Sequence, residues 1–180
     1  YVSSDLHGDL TSQAHYFNTG SPSKDFNPAG PQHGQVAACA GVLDYFRALH
    51  EHHFGESNKS LAAILTDIYP LILQQENQLA APILEFLHNH HDVRLIGKSH
   101  VKDDDRAPTI AFAPLRQSSK LLATKLQAQG IGTENGHFYA HRLINDLGLD
   151  PEDGVVRLSL VHYSSLDEVK RIVAALEACV

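Results

Sequence analysis

The chain has 180 residues, 43% of them hydrophobic, and a formal net charge of -7. That is enough for one sizeable core or two modest ones in a soluble globular protein, and the composition excludes disordered and fibrous classes. Lys and Arg are scattered with no basic run, which excludes nucleic acid and an anionic membrane surface, because both are bound through clustered positive charge.

Residues 18 to 30, "NTGSPSKDFNPAG", carry loop chemistry, rich in Gly, Pro, Ser and Asn. The next stretch, "PQHGQVAACAGVLDYFRALHEHH", turns helical. Pro31 suits a first helical turn, Val36, Leu43, Phe46 and Leu49 recur at near-helical spacing, and the small residues allow another helix to approach. Ser57 or Asn58 is placed to cap a second helical region over 60 to 90, which Pro70 and Pro82 either bend or divide in two.

From about residue 92 the pattern changes. "VRLIG" and "PTIAFAP" read as short strands, and "SSKLLATKLQAQG" reads as a capped helix ended by Gly130. "HFYAHRLINDLG" reads as another helix, "VVRLSLV" as a strand, and "SSLDEVKRIVAALEACV" as a final helix opened by a capping box from Ser165 to Glu168. The expectation is an α/β domain over residues 76–180, preceded over 1–75 by a mainly loop and helical segment.

Two cysteines, Cys39 and Cys179, make neither a disulfide framework nor a CxxC pair, which fits a reducing cytoplasm. Cys39 lies among alanines and is expected to be a packed thiol. No apolar run approaches the roughly 20 residues of a membrane span, and no signal-peptide pattern opens the chain. The chain lacks methionine altogether and opens on Tyr1-Val2, so it is expected to be a piece of a longer protein.

Thirteen histidines invite a metal reading, above all "HEHH" at 50–53 and "HNHH" at 88–91. His50 with His53, or His88 with His91, share a helix face. Both groups fall at expected helix C-termini, where the helix dipole favours imidazole, and neither has a third ligand at matching spacing, so no metal site is expected. The acidic run "KDDDR" at 102–106 is expected to be a solvated turn between strands. Arg157 is more pointed. Alternation in "VVRLSLV" puts Val156, Leu158 and Leu160 on one face and Val155, Arg157, Ser159 and Val161 on the other. A guanidinium there is a rigid fork suited to a carboxylate or phosphate, and spacing alone favours a structural ion pair.

The stretches "FNPAGPQHGQVAACAGVLDYF", "RAPTIAFAP", "GIGTENGHFYAHRL" and "GVVRLSLVHYSSLDEV" together resemble the C-terminal part of the class V aminotransferases, in the cysteine desulfurase-like branch of fold-type I pyridoxal-phosphate enzymes. The resemblance implies a short, mainly antiparallel sheet covered by helices in a small domain over 76–180. It also implies that residues 1–75 are the tail of the large pyridoxal-phosphate domain. Arg157 falls on the arginine that holds the substrate α-carboxylate, which turns the ion-pair reading into one of amino-acid binding. "PAGPQHG" falls on the loop that reaches the cofactor phosphate, commonly across a homodimer. This makes Gly30, Pro31, Gln32 and His33 the expected cofactor contacts, although Gly30 replaces a threonine and Gln32 an asparagine. Tyr139 stands where some cysteine desulfurases carry their persulfide-forming cysteine, so a cysteine nucleophile is not expected. His137 and Tyr139 are expected in the substrate pocket, where a packed aromatic and a capping histidine are equally compatible. The Schiff-base lysine falls upstream of Tyr1, and with it the catalytic residues. A non-catalytic interaction domain of the same fold and a histidine-based metal-binding protein are the rival classes.

Overall fold

A computed structural model describes residues 1–180 except Tyr1, Thr19, Pro28, Ala29, Asp103 and Asp104. The chain divides into two compact units, 1–66 and 67–180.

The first unit holds a short helix, α1 (Ser4–Asp9), capped by the Ser3 hydroxyl, which accepts from Leu6 N–H at 3.3 Å. It also holds a long helix, α2 (His33–Phe54), closed by Gly55, whose φ of +80° a residue with a side chain adopts poorly. Pro31 and Gln32 precede α2, so the helix begins two residues later than Pro31 suggests. His50 is the buried residue of α2. Cys39 is exposed, with its Sγ against the Gln35 carbonyl at 3.5 Å, so the packed thiol expected from its alanine neighbours is not found.

Helix α3 (Leu61–Asn89) is continuous through both prolines. Its cap is Ser60, whose hydroxyl accepts from Ala63 N–H, and not Ser57 or Asn58. An internal proline costs a helix about 3 kcal/mol. Pro70 and Pro82 both lie on the exposed side, while Ile68, Leu79, Ala80, Ile83, Leu84 and Leu87 are buried on the other. Burial at about 1.5–3 kcal/mol per large apolar side chain outweighs the two breaks. The second unit begins at Asp67, within α3.

The strands β1 (Val93–Ile96), β2 (Thr109–Pro114), β3 (Glu134–Gly136) and β4 (Val155–Ser159) form one sheet in the order β1-β2-β4-β3, antiparallel throughout. This is the short antiparallel sheet covered by helices that the resemblance implies. Helices α4 (Ser119–Ala128) and α6 (Leu166–Cys179), with the second half of α3, close one face. Their core includes Phe112, Ile110, Leu122, Leu126, Val156, Leu158, Val169 and Leu176. Ser118 caps α4, and the Ser165–Glu168 capping box opens α6 as the sequence predicts. The short helix α5 (His141–Asp146) lies on the other face. There Ile144 joins Ala113 and Val155 in a small second cluster edged by Phe138 and Leu149.

Two elements differ from expectation. Strand β3 has no apolar alternation and forms through its partners: Thr133 Oγ1 donates to the Arg157 carbonyl at 2.8 Å and Asn135 Nδ2 to the Asp153 carbonyl at 3.2 Å. Helix α5 starts at His141 and not at His137, because Phe138 (φ +47°) and Tyr139 (φ +63°) are left-handed and cannot join a right-handed helix.

Candidate active site

Period-2 alternation in β4 sends Val156, Leu158 and Leu160 into the core and leaves Arg157 exposed on the opposite side. Its guanidinium carbon sits 4.0 Å from the centroid of the Phe138 ring. The Arg157 side chain makes no ion pair among the described residues, although Glu134 stands directly across from it on β3. The structural ion pair that spacing favours is therefore not formed, and the π face of the guanidinium is occupied while its in-plane donors are not.

Phe138 belongs to a tight loop between β3 and α5. His137 Nδ1 accepts from Tyr139 N–H at 3.1 Å, and the His137 carbonyl accepts from Ala140 N–H at 2.7 Å. The His137 ring meets His141 edge-on at 5.5 Å. Tyr139 is fully exposed, in neither a packed nor a paired role. Two consecutive aromatic residues at positive φ are strained, and such strain persists where the surroundings over-determine it. The structure thus brings Arg157 and the His137–Tyr139 loop together, through a residue between the two expected ones. Sequence reasoning passed over Phe138 because a phenylalanine between a histidine and a tyrosine in a helix-like run carries no chemical signal of its own.

In the first unit, Gly30 takes φ +96° and donates its N–H to the Asn27 carbonyl at 3.1 Å. Pro31, Gln32 and His33 are exposed. Gln32 is the N-cap of α2 without a side-chain cap bond, and the first turn has no acidic residue. Its N–H groups and the positive end of the helix dipole suit an anion. The Lys24 ammonium lies against Gly30, 3.3 Å from where a Cβ would stand. This donor set fits a phosphate group, with Lys24 in place of the absent threonine hydroxyl as a positive partner. Lys24 was missed because it lies in a Ser- and Pro-rich loop whose path the sequence does not fix.

The remaining candidates lie as follows. His52 and His53 lie in the last turn of α2 and His88 in that of α3. Donor atoms of His90, His91 and Asp92 come within 4.8 Å of one another. Asp92 already takes the Arg116 guanidinium on one oxygen and His91 Nε2 at 3.2 Å on the other. Within "KDDDR", Asp103 and Asp104 lie outside the described residues, and Asp105 pairs with Lys98 at 2.5 Å. The Lys98 hydrogen bond holds the Asp105 carboxyl below its ordinary range. Arg106 donates to the carbonyls of Lys98 and Thr109, bracing the same turn. In "HYSS", Ser165 caps α6 and the Ser164 carbonyl accepts from Gln75 Nε2.

The four-stranded antiparallel sheet under α3, α4 and α6 belongs to a fold shared with part of larger solved proteins. A NifS-like protein from Rickettsia africae superposes with a TM-score of 0.52 at 17% identity, over 66% of this chain and 32% of that one. The chain belongs to the aminotransferase class-V family, whose model matches residues 67–172. Among curated proteins it is similar to the aminotransferase-like protein FGM3 of Gibberella zeae, 30% identical over 176 residues. It is also similar to a probable cysteine desulfurase of Vibrio cholerae, 28% identical over 162 residues. The matches take in 96% and 90% of this chain but 41% and 33% of those relatives, so the chain spans less than half their length. No helix among the described residues is long and apolar enough to cross a membrane.

Proposed function

We propose that the chain is the C-terminal part of a pyridoxal-phosphate-dependent enzyme of this family that acts on an amino acid, with Arg157 binding the substrate α-carboxylate. One observation carries the reading: Arg157 stands exposed and free of carboxylates among the described residues, its fork of donors available. A bidentate contact there fixes the substrate backbone and so decides which Cα bond is aligned for cleavage. When bound, the cofactor supplies the electron sink for that cleavage. His137 and Tyr139 line the approach to Arg157. The loop of Gly30, Pro31, Gln32 and His33, aided by Lys24, receives the cofactor phosphate through the Gln32 and His33 N–H groups at the start of α2 and the ammonium, while Gly30 and Pro31 shape the approach.

In this reading residues 1–75 are the tail of the large cofactor domain and 76–180 the small domain. The enzyme is a cytoplasmic homodimer, and the Schiff-base lysine lies outside these 180 residues. Tyr139 in place of a cysteine argues against sulfur transfer through a nucleophilic thiol on that loop, and Cys39 and Cys179 lie elsewhere.

The test is to incubate the 180-residue chain with pyridoxal phosphate, reduce with borohydride and map labelled lysines by mass spectrometry. The same procedure is then applied to the undivided gene product. The expected result is no single labelled lysine in the first and one in the second. Stoichiometric labelling of one lysine within the 180 residues overturns the placement of the lysine, and no labelling of the undivided product overturns the enzyme reading.

A further inference from the structure

We propose that Phe138 is a positioning residue for Arg157: its ring holds the guanidinium off Glu134 and leaves the donor fork for an incoming carboxylate. The inference rests on the reading of Arg157 as the carboxylate anchor. Glu134 is the cross-strand partner of Arg157, and opposite charges in that relation ordinarily attract. An arginine paired with Glu134 presents an occupied fork, and a substrate carboxylate must then displace a carboxylate already in place. Arg157 instead lies 4.0 Å from the Phe138 centroid. Stacking on an aromatic ring uses the flat face of the guanidinium and spares its in-plane N–H groups.

The platform is fixed independently of Arg157. Phe138 is held at φ +47°, and its ring packs on the cluster of Ala113, Ile144 and Val155. The loop on its other side is closed by the His137 hydrogen bonds to Tyr139 and Ala140. A side chain so constrained dictates where its partner rests.

The first measurement is NMR of the 180-residue chain, reading the Arg157 Nε–H resonance. The Phe138 ring current displaces it in the wild type and in Phe138→Tyr. In Phe138→Leu the displacement is lost and Nε–H exchange slows as Arg157 closes on Glu134; adding Glu134→Gln removes that slowing. The second is spectroscopic titration of the cofactor-loaded undivided gene product with the common L-amino acids, using the tightest binder. Phe138→Leu is expected to raise Kd roughly tenfold with kcat changed far less, Phe138→Tyr to stay near wild type, and Phe138→Leu/Glu134→Gln to recover most of the loss. If no amino acid saturates, or Arg157→Lys leaves Kd unchanged, the carboxylate reading falls and takes this inference with it. If Arg157→Lys weakens binding but Phe138→Leu does not, or the double variant fails to recover, only the positioning role is overturned. Should Phe138→Leu fail to fold, an undisplaced Nε–H in the wild type and Phe138→Tyr overturns the inference by itself.

Discussion

Gly154→Ala is the substitution to which the second unit should be most sensitive. Gly154 enters β4 at φ +65°, and a Cβ placed on it meets the Gly136 backbone at 2.1 Å from the carbonyl carbon and 2.2 Å from the oxygen. Ordinary contact begins near 3.4 Å, so the two strands must part by more than an ångström. Gly136 is the last residue of β3, paired with Val155, and leads directly into the loop that carries Phe138. Alanine in a left-handed conformation costs about 1–2 kcal/mol, and forcing atoms into a filled site adds about 1–3 kcal/mol. The expected destabilisation is about 3–4 kcal/mol, read as a lower urea midpoint, or as a melting temperature lower by roughly 10–20 °C for a domain of this size. Gly148→Ala is the control. It also sits at positive φ, +73°, but has nothing within 4 Å of its Cβ, so it carries the backbone cost without the clash. If the two variants are equally stable, the close approach of the β3 and β4 backbones is wrong.

Three further outcomes are expected. Asp153 caps α4 from outside it, accepting from Ser119 N–H at 2.7 Å and Lys120 N–H at 3.2 Å, so Asp153→Ala should cost about 1–2 kcal/mol in urea unfolding with an unchanged slope; an unshifted midpoint refutes the cap. The Glu168 carboxyl is held below its ordinary value first by the Ser165 N–H and then by the Ser165 hydroxyl. A lowered folded-state pKa contributes stability that is present above the unfolded value of about 4.5 and is lost as pH falls through the folded one. Glu168→Gln should therefore flatten the decline in stability below that pH, and identical pH profiles for the two proteins refute the argument. Hydrogen exchange should be fast along α2, where His50 is the buried residue, and slowest over Leu79 to Leu87 of α3, whose buried side chains anchor the main core; equal protection of both stretches contradicts this.

What the sequence made legible followed from strong local patterns. Alternation in β4 placed Val156, Leu158 and Leu160 in the main core and Arg157 and Ser159 outside it, and serine three residues before glutamate marked the start of α6. Where tertiary partners decide, the sequence misled. Strand β3 is Glu-Asn-Gly, poor strand material held by the Thr133 and Asn135 side chains. The left-handed Phe138 and Tyr139 cannot be anticipated from residues that rarely take that conformation. The prolines left open whether the region over 60 to 90 is one helix or two, and burial along the inner side of α3 goes with the single helix. Arg157 was legible as an outward arginine, whereas its freedom from acidic partners depends on a ring brought from another loop.

One strand thus sets both the core and the candidate site. Because side chains alternate in β4, seating Val156, Leu158 and Leu160 in the core leaves Arg157 no choice of face. A slip of one residue would drive a guanidinium among Phe112, Leu122 and Leu176 and expose the apolar set, a burial of unpaired charge that costs far more than any contact the arginine makes outside. The register of the sheet is therefore guarded by the hydrophobic core, and the arginine inherits its placement from that core. What the core does not fix is the direction of the guanidinium once it leaves the sheet, and this remaining freedom is what the Phe138 ring takes up.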